Sequence, residues 1–378
     1  MQSAANPALS ESPPALYIHF PWCVKKCPYC DFNSHPISSQ ASQGRYLDAL
    51  HEDLAASLAS ADPQLASVFC GGGTPSLFGP DVFATLLDEI KPWLAADAEI
   101  TMEANPGTLE HQDLGDYRRA GINRLSLGAQ SFNALHLDAL GRIHSPGDIR
   151  TSFASARRGR FDNINLDIMY ALPGQSPQQA EADLSQALEL EPDHISWYQL
   201  TIEAKTEFAK RPPTLPNASD VAEMEARGLA LLASRGYERY EVSAFARPDK
   251  QCLHNVNYWR FGDYLGAGAG AHGKLTQQGR IVRTRKATQP RLYMNDPLET
   301  IAEPVPADQV VVEFMLNALR LQQGVSFQEF FRRTGLDESA ISPVWESLAE
   351  DGLVEHHRIA TTPMGFAYID SIIQRFLT

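Results

Sequence analysis

Three of the five cysteines in the chain, Cys23, Cys27 and Cys30, are close enough in sequence to bind one metal centre. Their C-x3-C-x2-C spacing lets thiolates from a single loop converge on a soft metal. Zinc would require a fourth protein ligand, which His19 or His35 could supply. A cubane iron–sulfur cluster takes one thiolate at each iron, so three cysteines leave one iron open. The spacing favours the cluster, because an open iron is where a small molecule can chelate and react.

A second group of candidate residues lies where predicted strands end. The segment GGGTP (71–75) follows an apolar run, and its glycines would let backbone polar groups approach a ligand closely. Glu103, Gln130 and Asp167 stand at or near the ends of further runs. In barrel enzymes the carboxyl ends of the parallel strands form one rim, which holds the active site. Taken singly, GGGTP also suits an ordinary turn, and Asp167 also suits a turn cap.

Composition and charge narrow the class of protein. The chain has 378 residues, 43% of them hydrophobic, and a formal net charge of −14. This charge argues against nucleic-acid binding, which depends on clustered Lys and Arg. The sparse, odd set of cysteines favours a reducing compartment over a secreted disulfide framework. The N-terminal residues lack the features of a signal peptide, and no run reaches the roughly 18 apolar residues of a membrane helix, so we expect a cytoplasmic protein.

Apolar strand-like runs alternate with helical patterns through the first two-thirds of the chain. Such alternation predicts parallel strands joined by right-handed crossovers. With only six or seven strands, and polar residues at their ends, we expect an α/β fold with an incomplete (β/α)6-type TIM-like barrel. The predicted strands are 15–20, 65–70, 99–106, 124–132, 163–174, 194–202 and 237–246, and the main predicted helices are 43–60, 80–94, 109–121 and 220–236.

Four regions are predicted along the chain. Residues 1–14 form a disordered tail, and residues 15–250 form the partial barrel. Residues 251–305 form an aromatic and glycine-rich connecting segment. Residues 306–378 form a small α+β domain, whose short helices and final strand–turn–strand are typical of a winged helix. From residue 308 onward this domain has five Arg, no Lys and ten acidic residues, which disfavours DNA as its partner.

The cysteine spacing, with the aromatic residue Tyr29 before the last cysteine, resembles the signature of the radical S-adenosylmethionine (SAM) enzymes. In that family the amino and carboxylate groups of SAM chelate the open iron of a 4Fe-4S cluster. An electron donated to the cluster then cleaves the sulfonium bond and leaves a 5′-deoxyadenosyl radical. The resemblance implies that Cys23, Cys27 and Cys30 bind the cluster and that GGGTP contacts the methionine part of SAM.

Further residues resemble the SAM contacts of one subgroup, the coproporphyrinogen oxidase-like branch. Each of them also has an ordinary structural interpretation, such as a solvated charge for Arg142. The SAM-binding residues that the resemblance implies are Tyr17, Tyr29, Gly72, Gly73, Thr74, Glu103, Gln130, Arg142 and Asp167.

Within this branch the chain is more similar to the haem chaperones than to the oxygen-independent coproporphyrinogen III oxidases. The oxidases have a further cysteine two residues after the third ligand, where this chain has Phe32. The segment HNVNYW (254–259) resembles an H-N-x-x-Y-W segment of the haem chaperones, and neutral imidazole is a natural ligand of haem iron. His254 is therefore the candidate haem ligand, with Cys252 and His272 as weaker candidates. The alternative is that His254 is hydrogen-bonded within an aromatic core.

The resemblance implies a haem chaperone that carries a 4Fe-4S cluster and SAM and binds haem as cargo. Its partners would be haem-requiring proteins, including respiratory proteins at the membrane surface, and an electron donor to the cluster. The alternative functions are radical-mediated oxidative decarboxylation of coproporphyrinogen III and a non-catalytic zinc module.

Overall fold

The structure, a computed structural model, describes residues 15–37, 40–61, 64–108, 113–277 and 279–377. The predicted tail, residues 1–14, lies outside the described residues. The strands are β1 (Ala15–Phe20), β2 (Trp22–Cys23), β3 (His35–Pro36), β4 (Leu65–Gly72), β5 (Leu94–Ala104), β6 (Arg124–Gln130), β7 (Ile164–Tyr170), β8 (His194–Gln199), β9 (Glu238–Glu241), β10 (Ala244–Ala246), β11 (Tyr264–Ala267), β12 (His272–Gln277), β13 (Arg280–Arg285) and β14 (Ile301–Pro304).

Helices connect and cover these strands. The helices are α1 (Gln40–Ala61), α2 (Pro80–Ile90), α3 (Leu114–Ala120), α4 (Ala134–Ala139), α5 (Pro146–Arg158), α6 (Pro177–Glu189), α7 (Glu207–Lys210), α8 (Ala218–Ser234), α9 (Leu253–Trp259), α10 (Pro290–Asn295), α11 (Ala307–Ala318), α12 (Phe327–Thr334), α13 (Ser342–Glu350), α14 (Pro363–Phe366) and α15 (Ile369–Gln374). Residues 109–112, where a helix was predicted to begin, lie outside the described residues.

Twelve of the described strands form one sheet, in the order β14-β13-β12-β11-β1-β4-β5-β6-β7-β8-β10-β9. The strands from β11 to β8 run parallel, and each crossover from β1 to β8 contains at least one helix. The outer strands β14 and β9 are not paired with each other in the described residues, so the sheet stays open. The predicted α/β fold with an incomplete barrel is confirmed.

The parallel strands are buried on both faces, as crossover helices require. All seven residues of β6 are buried, and six of the seven residues of β7 are buried. Several covering helices begin with strong caps: α5 and α6 each have a capping box, closed by Ser145 with Asp148 and by Ser176 with Gln179. These caps fix where each helix begins relative to the strand before it.

The segment 251–305, expected to be an irregular connection, contains α9, α10 and the four strands β11 to β14. Strand β11 pairs in parallel with β1 and so becomes a seventh parallel strand of the sheet. Helix α9 begins beside the middle of β5, where the Leu253 amide donates to Glu99 Oε1 at 2.9 Å. The periodicity missed these elements because most of them are only four to seven residues long. The predicted strand 237–246 divides into the antiparallel pair β9 and β10.

The C-terminal residues form the predicted winged-helix-like unit with its own core. Helices α11, α12 and α13 pack around Phe314, Phe330 and Trp345, which are all buried. Single antiparallel bridges, Val325 to Ile359 and Val354 to Thr361, stand where the strand–turn–strand was predicted. No helix within the described residues is long and apolar enough to span a bilayer.

A buried ion pair joins α1 to the residue that follows β13. Asp53 is fully buried on α1, and its carboxylate is 2.7 Å from the ammonium of Lys286. The same carboxylate accepts hydrogen bonds from the Gly268 amide at 3.1 Å and the Tyr293 hydroxyl at 2.9 Å. Removing one member of such a pair leaves an uncompensated buried charge.

We expect Asp53→Ala to lower the free energy of unfolding by about 3–5 kcal/mol, because Lys286 then remains buried without its counter-charge. Urea unfolding followed by circular dichroism measures the difference. Glu52→Ala, at the neighbouring exposed position of α1, serves as the control and should change stability little. Equal effects of the two substitutions would show that this ion pair does not hold α1 in place.

Candidate functional site

The cysteine loop lies between two very short paired strands. Strand β2 pairs in parallel with β3, which brings Trp22 opposite His35 and closes the loop at its base. Within the loop, the Cys30 amide donates to the Cys27 carbonyl at 3.1 Å, and Lys26 Nζ donates to the Phe32 carbonyl at 2.9 Å. All three thiols of this loop are partly exposed. The loop therefore presents its thiols on one partly open surface.

The two histidines considered as zinc ligands are bonded elsewhere. His19 Nδ1 accepts from the Tyr17 hydroxyl at 3.0 Å, and His19 Nε2 donates to the Asn33 carbonyl at 2.8 Å. His35 Nε2 is 3.1 Å from Asn33 Oδ1. Among the described residues, no three His, Cys, Asp or Glu side chains surround a single ion position. The loop thus fits a cluster, in which each thiolate binds its own iron, better than a tetrahedral zinc site.

The glycine run at the end of β4 lies directly under the cysteine loop. The Gly73 amide donates to the Phe20 carbonyl at 2.7 Å, and the Thr74 amide donates to the Trp22 carbonyl at 2.8 Å. A Cβ atom on Gly73 would lie 2.6 Å from the Trp22 carbonyl oxygen, so a side chain is excluded there. The Gly72 amide is also used, because it donates to Glu103 Oε2 at 3.0 Å. With these amides bonded inside the protein, this run can offer a ligand its carbonyl oxygens.

A cavity of about 380 Å³ opens between the cysteine loop and the carboxyl ends of the strands. It brings together eleven of the residues predicted from the sequence. They come from the loop and from β4, β5, β6, β7 and the turn after α4: Cys23, Cys27, Tyr29, Cys30, Gly72, Gly73, Thr74, Glu103, Gln130, Arg142 and Asp167. Tyr17 and His254 are not among the residues that line it.

Two carboxyl groups, Glu103 and Asp167, face this cavity from adjacent parts of the rim. Burial, aided by the nearby Asp167 and opposed by the Gly72 amide and Arg124, raises the pKa of Glu103 to about 8. Burial also raises the pKa of Asp167, against hydrogen bonds from Asn165, Ser196 and Ser126. A cation that entered the cavity would favour the ionised form of both groups.

Gln130 is held in a strained backbone conformation at the end of β6. Its φ is +67°, in the left-handed region that residues other than glycine seldom adopt. The pairing of β6 with β7 shifts its register between Leu127 and Gln130. The side chain of Gln130 accepts a hydrogen bond from the Tyr198 hydroxyl at 2.9 Å. Such strain at a strand end is a feature of binding sites, where the surrounding structure must hold one side chain in a fixed direction.

His254 lies inside the barrel, below the cavity. It is 2% exposed, its ring stacks on Phe69 at a centroid distance of 5.1 Å, and its Nδ1 is 3.3 Å from Ser67 Oγ. Its Nε2 is buried and has no hydrogen-bond partner among the residues that the structure describes. Burial, aided by Arg124, lowers the pKa of His254 to about 3, so the imidazole is neutral at pH 7.

The other two haem-ligand candidates lie in different environments. Cys252 is buried, its thiol is 3.6 Å from Glu99 Oε1, and burial raises its pKa to about 12. His272 is exposed at the start of β12. Among the described residues, His254, Cys252 and His272 form no common metal-binding group.

Asn105 and Tyr198 also line the cavity, although neither was predicted as a site residue from the sequence. Asn105 follows β5 directly, and its Nδ2 donates to Thr74 Oγ1 at 2.9 Å. Tyr198 is the penultimate residue of β8. Both occupy the strand-end positions that pointed to Glu103 and Gln130, so the same criterion, applied to every polar residue, would have found them.

Comparisons with known proteins agree with this geometry. The model of the radical SAM superfamily matches residues 17–187, and the model of the HemN C-terminal domain matches residues 305–367. A protein of Escherichia coli named heme chaperone HemW is 46% identical over 97% of this chain and 98% of its own length. The chain belongs to the HemW family. Proteins with the same name from Haemophilus influenzae and Bacillus subtilis are 44% and 35% identical, over 97% and 92% of this chain.

The fold of this HemW family member has also been seen in a solved structure. Coproporphyrinogen III oxidase (HemN) from Escherichia coli, described as a radical SAM enzyme, matches with a TM-score of 0.82. The match covers 97% of this chain and 90% of that chain, at 24% sequence identity. The likeness establishes a shared fold that includes the C-terminal domain. Membership of the radical SAM superfamily implies in general a 4Fe-4S cluster and SAM.

The raised pKa of Glu103 predicts a pH-dependent difference between the wild-type protein and Glu103→Gln. In the unfolded chain this carboxyl ionises near its ordinary value of 4.5, whereas in the folded protein it ionises at about 8. Between pH 4.5 and pH 8, Glu103 therefore keeps its proton in the folded protein, whereas the unfolded chain has lost it. The stabilisation of the folded state that this proton supplies is lost as the pH rises from about 5 to 8. The loss amounts to at most about 1.4 kcal/mol per pH unit.

Urea unfolding of the reduced, cluster-free proteins at pH 5, 6, 7, 8 and 9 tests this prediction. The stability of the wild type relative to Glu103→Gln should fall between pH 5 and pH 8 and then level off. Parallel curves for the two proteins would show that Glu103 ionises like an exposed glutamate.

Proposed function

We propose that this protein binds haem and delivers it to haem-requiring proteins, with a 4Fe-4S cluster on its cysteine loop and SAM in the adjoining cavity. The observation that carries the proposal is the convergence of Cys23, Cys27 and Cys30 with the glycine run on one cavity. Relatives named heme chaperone HemW, 46% and 44% identical over 97% of the chain, support haem as the cargo.

The residues present fit the implied cofactors. Cys23, Cys27 and Cys30 would hold three irons and leave the fourth for SAM, whose reductive cleavage would supply radical chemistry. Burial raises the pKa of the Cys23 and Cys30 thiols, so bound iron would supply the charge that keeps them ionised. Carbonyl oxygens of Gly72 and Gly73 would accept hydrogen bonds from the ammonium group of SAM, because both amides are bonded inside the protein and neither residue has a side chain that could cover the site.

The rim residues would complete the binding of SAM. Glu103 and Asp167 would supply negative charge on one side of the cavity once a cationic ligand favours their ionised forms, and Arg142 supplies positive charge near Cys27. Tyr29, on the cysteine loop, and Gln130, at the end of β6, line the same cavity. Charges of both signs suit a zwitterionic ligand that also carries a sulfonium.

His254 is the proposed axial ligand of the haem iron. Its low pKa keeps the imidazole neutral, and within the described part of the chain no group forms a hydrogen bond with its Nε2. Because the ring is packed between Phe69 and Tyr258, iron can reach it only when α9 separates from β1 and β4. Haem binding at His254 would therefore be coupled to an opening of this packing.

The proposed partners follow from this cargo. They are haem-accepting proteins, including membrane-associated respiratory proteins, and a reductant of the cluster. The alternative function for a protein with this fold is the oxidative decarboxylation of coproporphyrinogen III. Phe32, 58% exposed on the cysteine loop, stands where the oxidases have a further cysteine.

The decisive experiment measures haem transfer under anaerobic conditions. Protein with a reconstituted cluster is loaded with haem, mixed with a haem-free b-type cytochrome, and followed by absorption spectroscopy. We expect the Soret band to pass from this protein to the cytochrome. His254→Ala should weaken haem binding by at least about tenfold, because it removes one bond to the haem iron. A tenfold loss of affinity corresponds to about 1.4 kcal/mol of binding free energy. His272→Ala, a change at an exposed histidine, is the control and should bind haem as the wild type does.

Three results would contradict the proposal in different ways. Absence of haem transfer from the wild type would remove the chaperone function. Formation of protoporphyrinogen IX from coproporphyrinogen III and SAM at catalytic turnover would identify the protein as an oxidase. Loss of haem binding in His272→Ala, but not in His254→Ala, would move the haem ligand to β12.

A further inference from the structure

A continuous chain of side-chain hydrogen bonds connects two of the three loop cysteines. Thr74 Oγ1 donates to Cys23 Sγ at 3.4 Å, and Asn105 Nδ2 donates to Thr74 Oγ1 at 2.9 Å. On the other side, Arg142 Nη2 donates to Asn105 Oδ1, and Arg142 Nη1 donates to Cys27 Sγ at 3.7 Å. We call Thr74, Asn105 and Arg142 the thiol bridge. Its members come from the ends of β4 and β5 and from the turn after α4.

Asn105 is the central member of the thiol bridge, and its backbone is held firmly. The amide and the hydroxyl of Thr108 both donate to the Asn105 carbonyl, at 3.0 and 2.8 Å. Arg142 Nη2 is also fixed, because it donates to the Gly128 carbonyl at 2.8 Å. Because the Asn105 backbone and the Arg142 guanidinium are fixed in this way, the Asn105 side chain contacts both Thr74 and Arg142 in one orientation.

The space for this meeting depends on the absence of a side chain at Gly128. A Cβ atom there would lie 3.0 Å from Asn105 Oδ1, 3.1 Å from Gln130 Nε2 and 3.2 Å from Arg142 Nη2. These distances are tighter than ordinary van der Waals contact, so three side chains converge where only glycine leaves room. The convergence is thus a built feature of the rim.

The chemistry of an amide, which donates and accepts at once, suits this position. Because Asn105 donates to Thr74 Oγ1, the Thr74 hydroxyl keeps its own proton for Cys23. Because Asn105 accepts from Nη2 of Arg142, the guanidinium turns Nη1 toward Cys27. A carboxylate at position 105 would accept a hydrogen bond from the Thr74 hydroxyl, which would then no longer donate to Cys23. An aliphatic side chain would form no hydrogen bond with Thr74 or with Arg142.

We propose that Asn105 is a positioning residue that sets the reduction potential of the cluster by aiming the Thr74 hydroxyl and the Arg142 guanidinium at two of its thiolates. This inference rests on the proposed cluster at the cysteine loop. Hydrogen bonds to the sulfurs and nearby positive charge stabilise the electron added on reduction, and so make the potential less negative. The third thiol, of Cys30, lies outside the thiol bridge and has the Ser34 hydroxyl at 3.9 Å.

The test is an EPR-monitored redox titration of the reconstituted full-length protein and its variants without SAM. In Asn105→Ala we expect the ratio of reduced to oxidised cluster at a fixed potential to fall about tenfold. This corresponds to a reduction potential that is more negative by about 59 mV for a one-electron couple. Asn105→Asp preserves the shape of the side chain, removes the donor to Thr74 and adds a negative charge, so we expect its potential to be more negative still.

Asn123→Ala is the matched control, because it removes two side-chain hydrogen bonds far from the thiols. Asn123 donates to the Ala98 carbonyl at 2.8 Å and accepts from the Ile100 amide at 2.7 Å, before β6 begins. We expect this variant to lose thermal stability and to keep the wild-type potential.

The possible outcomes separate the proposed function of the protein from the proposed role of Asn105. A wild type that acquires no cluster would contradict the proposed function itself. A wild type with a cluster, and Asn105 variants whose potentials equal that of the wild type, would overturn the role of Asn105 alone. A potential that shifts equally in Asn105→Ala and Asn123→Ala would also overturn it, because the shift would then follow general loosening of β5.

Discussion

The two backbone hydrogen bonds that join the glycine run to the start of the cysteine loop constrain the whole site. They run from Gly73 to Phe20 and from Thr74 to Trp22, and they exist because β1 and β4 are adjacent parallel strands. A parallel sheet places the ends of successive strands at one rim, so any loop fixed there faces the residues that follow the other strands. The cavity between the loop and the rim follows from this arrangement.

The barrel interior contains two different environments along its length. At the rim, carboxyl, guanidinium and thiol groups face a cavity open to solvent. Deeper inside, Tyr17 and His254 pack with Phe69 in an aromatic cluster that α9 covers. His19 joins these environments, since it bonds both the Tyr17 hydroxyl and the Asn33 carbonyl of the cysteine loop. A change in the loop therefore has a direct route to the packing around the proposed haem ligand.

The sequence predicted the parts of the fold whose signal is local and long. Strand β6, from Arg124 to Gln130, was expected at 124–132 because a strand-like segment is followed there by a helical pattern. Strand β11 escaped prediction because four residues ending in Gly266 and Ala267 have no periodicity, and its place depends on backbone pairing with β1. The helix 253–259 is similarly short, and only its contacts with the barrel show that it covers the interior.

The site residues also differ in how far the sequence alone reveals them. The cysteines were recognisable from their spacing, and Glu103 from its place at a strand end. Asn105 fell within the predicted strand 99–106 with no sign of its role, since its partners Thr74 and Arg142 are 31 and 37 residues away in sequence. Burial was equally hidden, and it is burial that lowers the pKa of His254 and raises that of Glu103.

The central claim is that three thiolates leave one iron of a 4Fe-4S cluster free for SAM. Mössbauer spectroscopy of ⁵⁷Fe-reconstituted, anaerobic protein, recorded before and after addition of SAM, tests it most directly. The account predicts four-iron clusters in which one iron changes its isomer shift and quadrupole splitting when SAM binds, while the other three do not. A mononuclear metal, or a four-iron cluster whose spectrum SAM leaves unchanged, would contradict it.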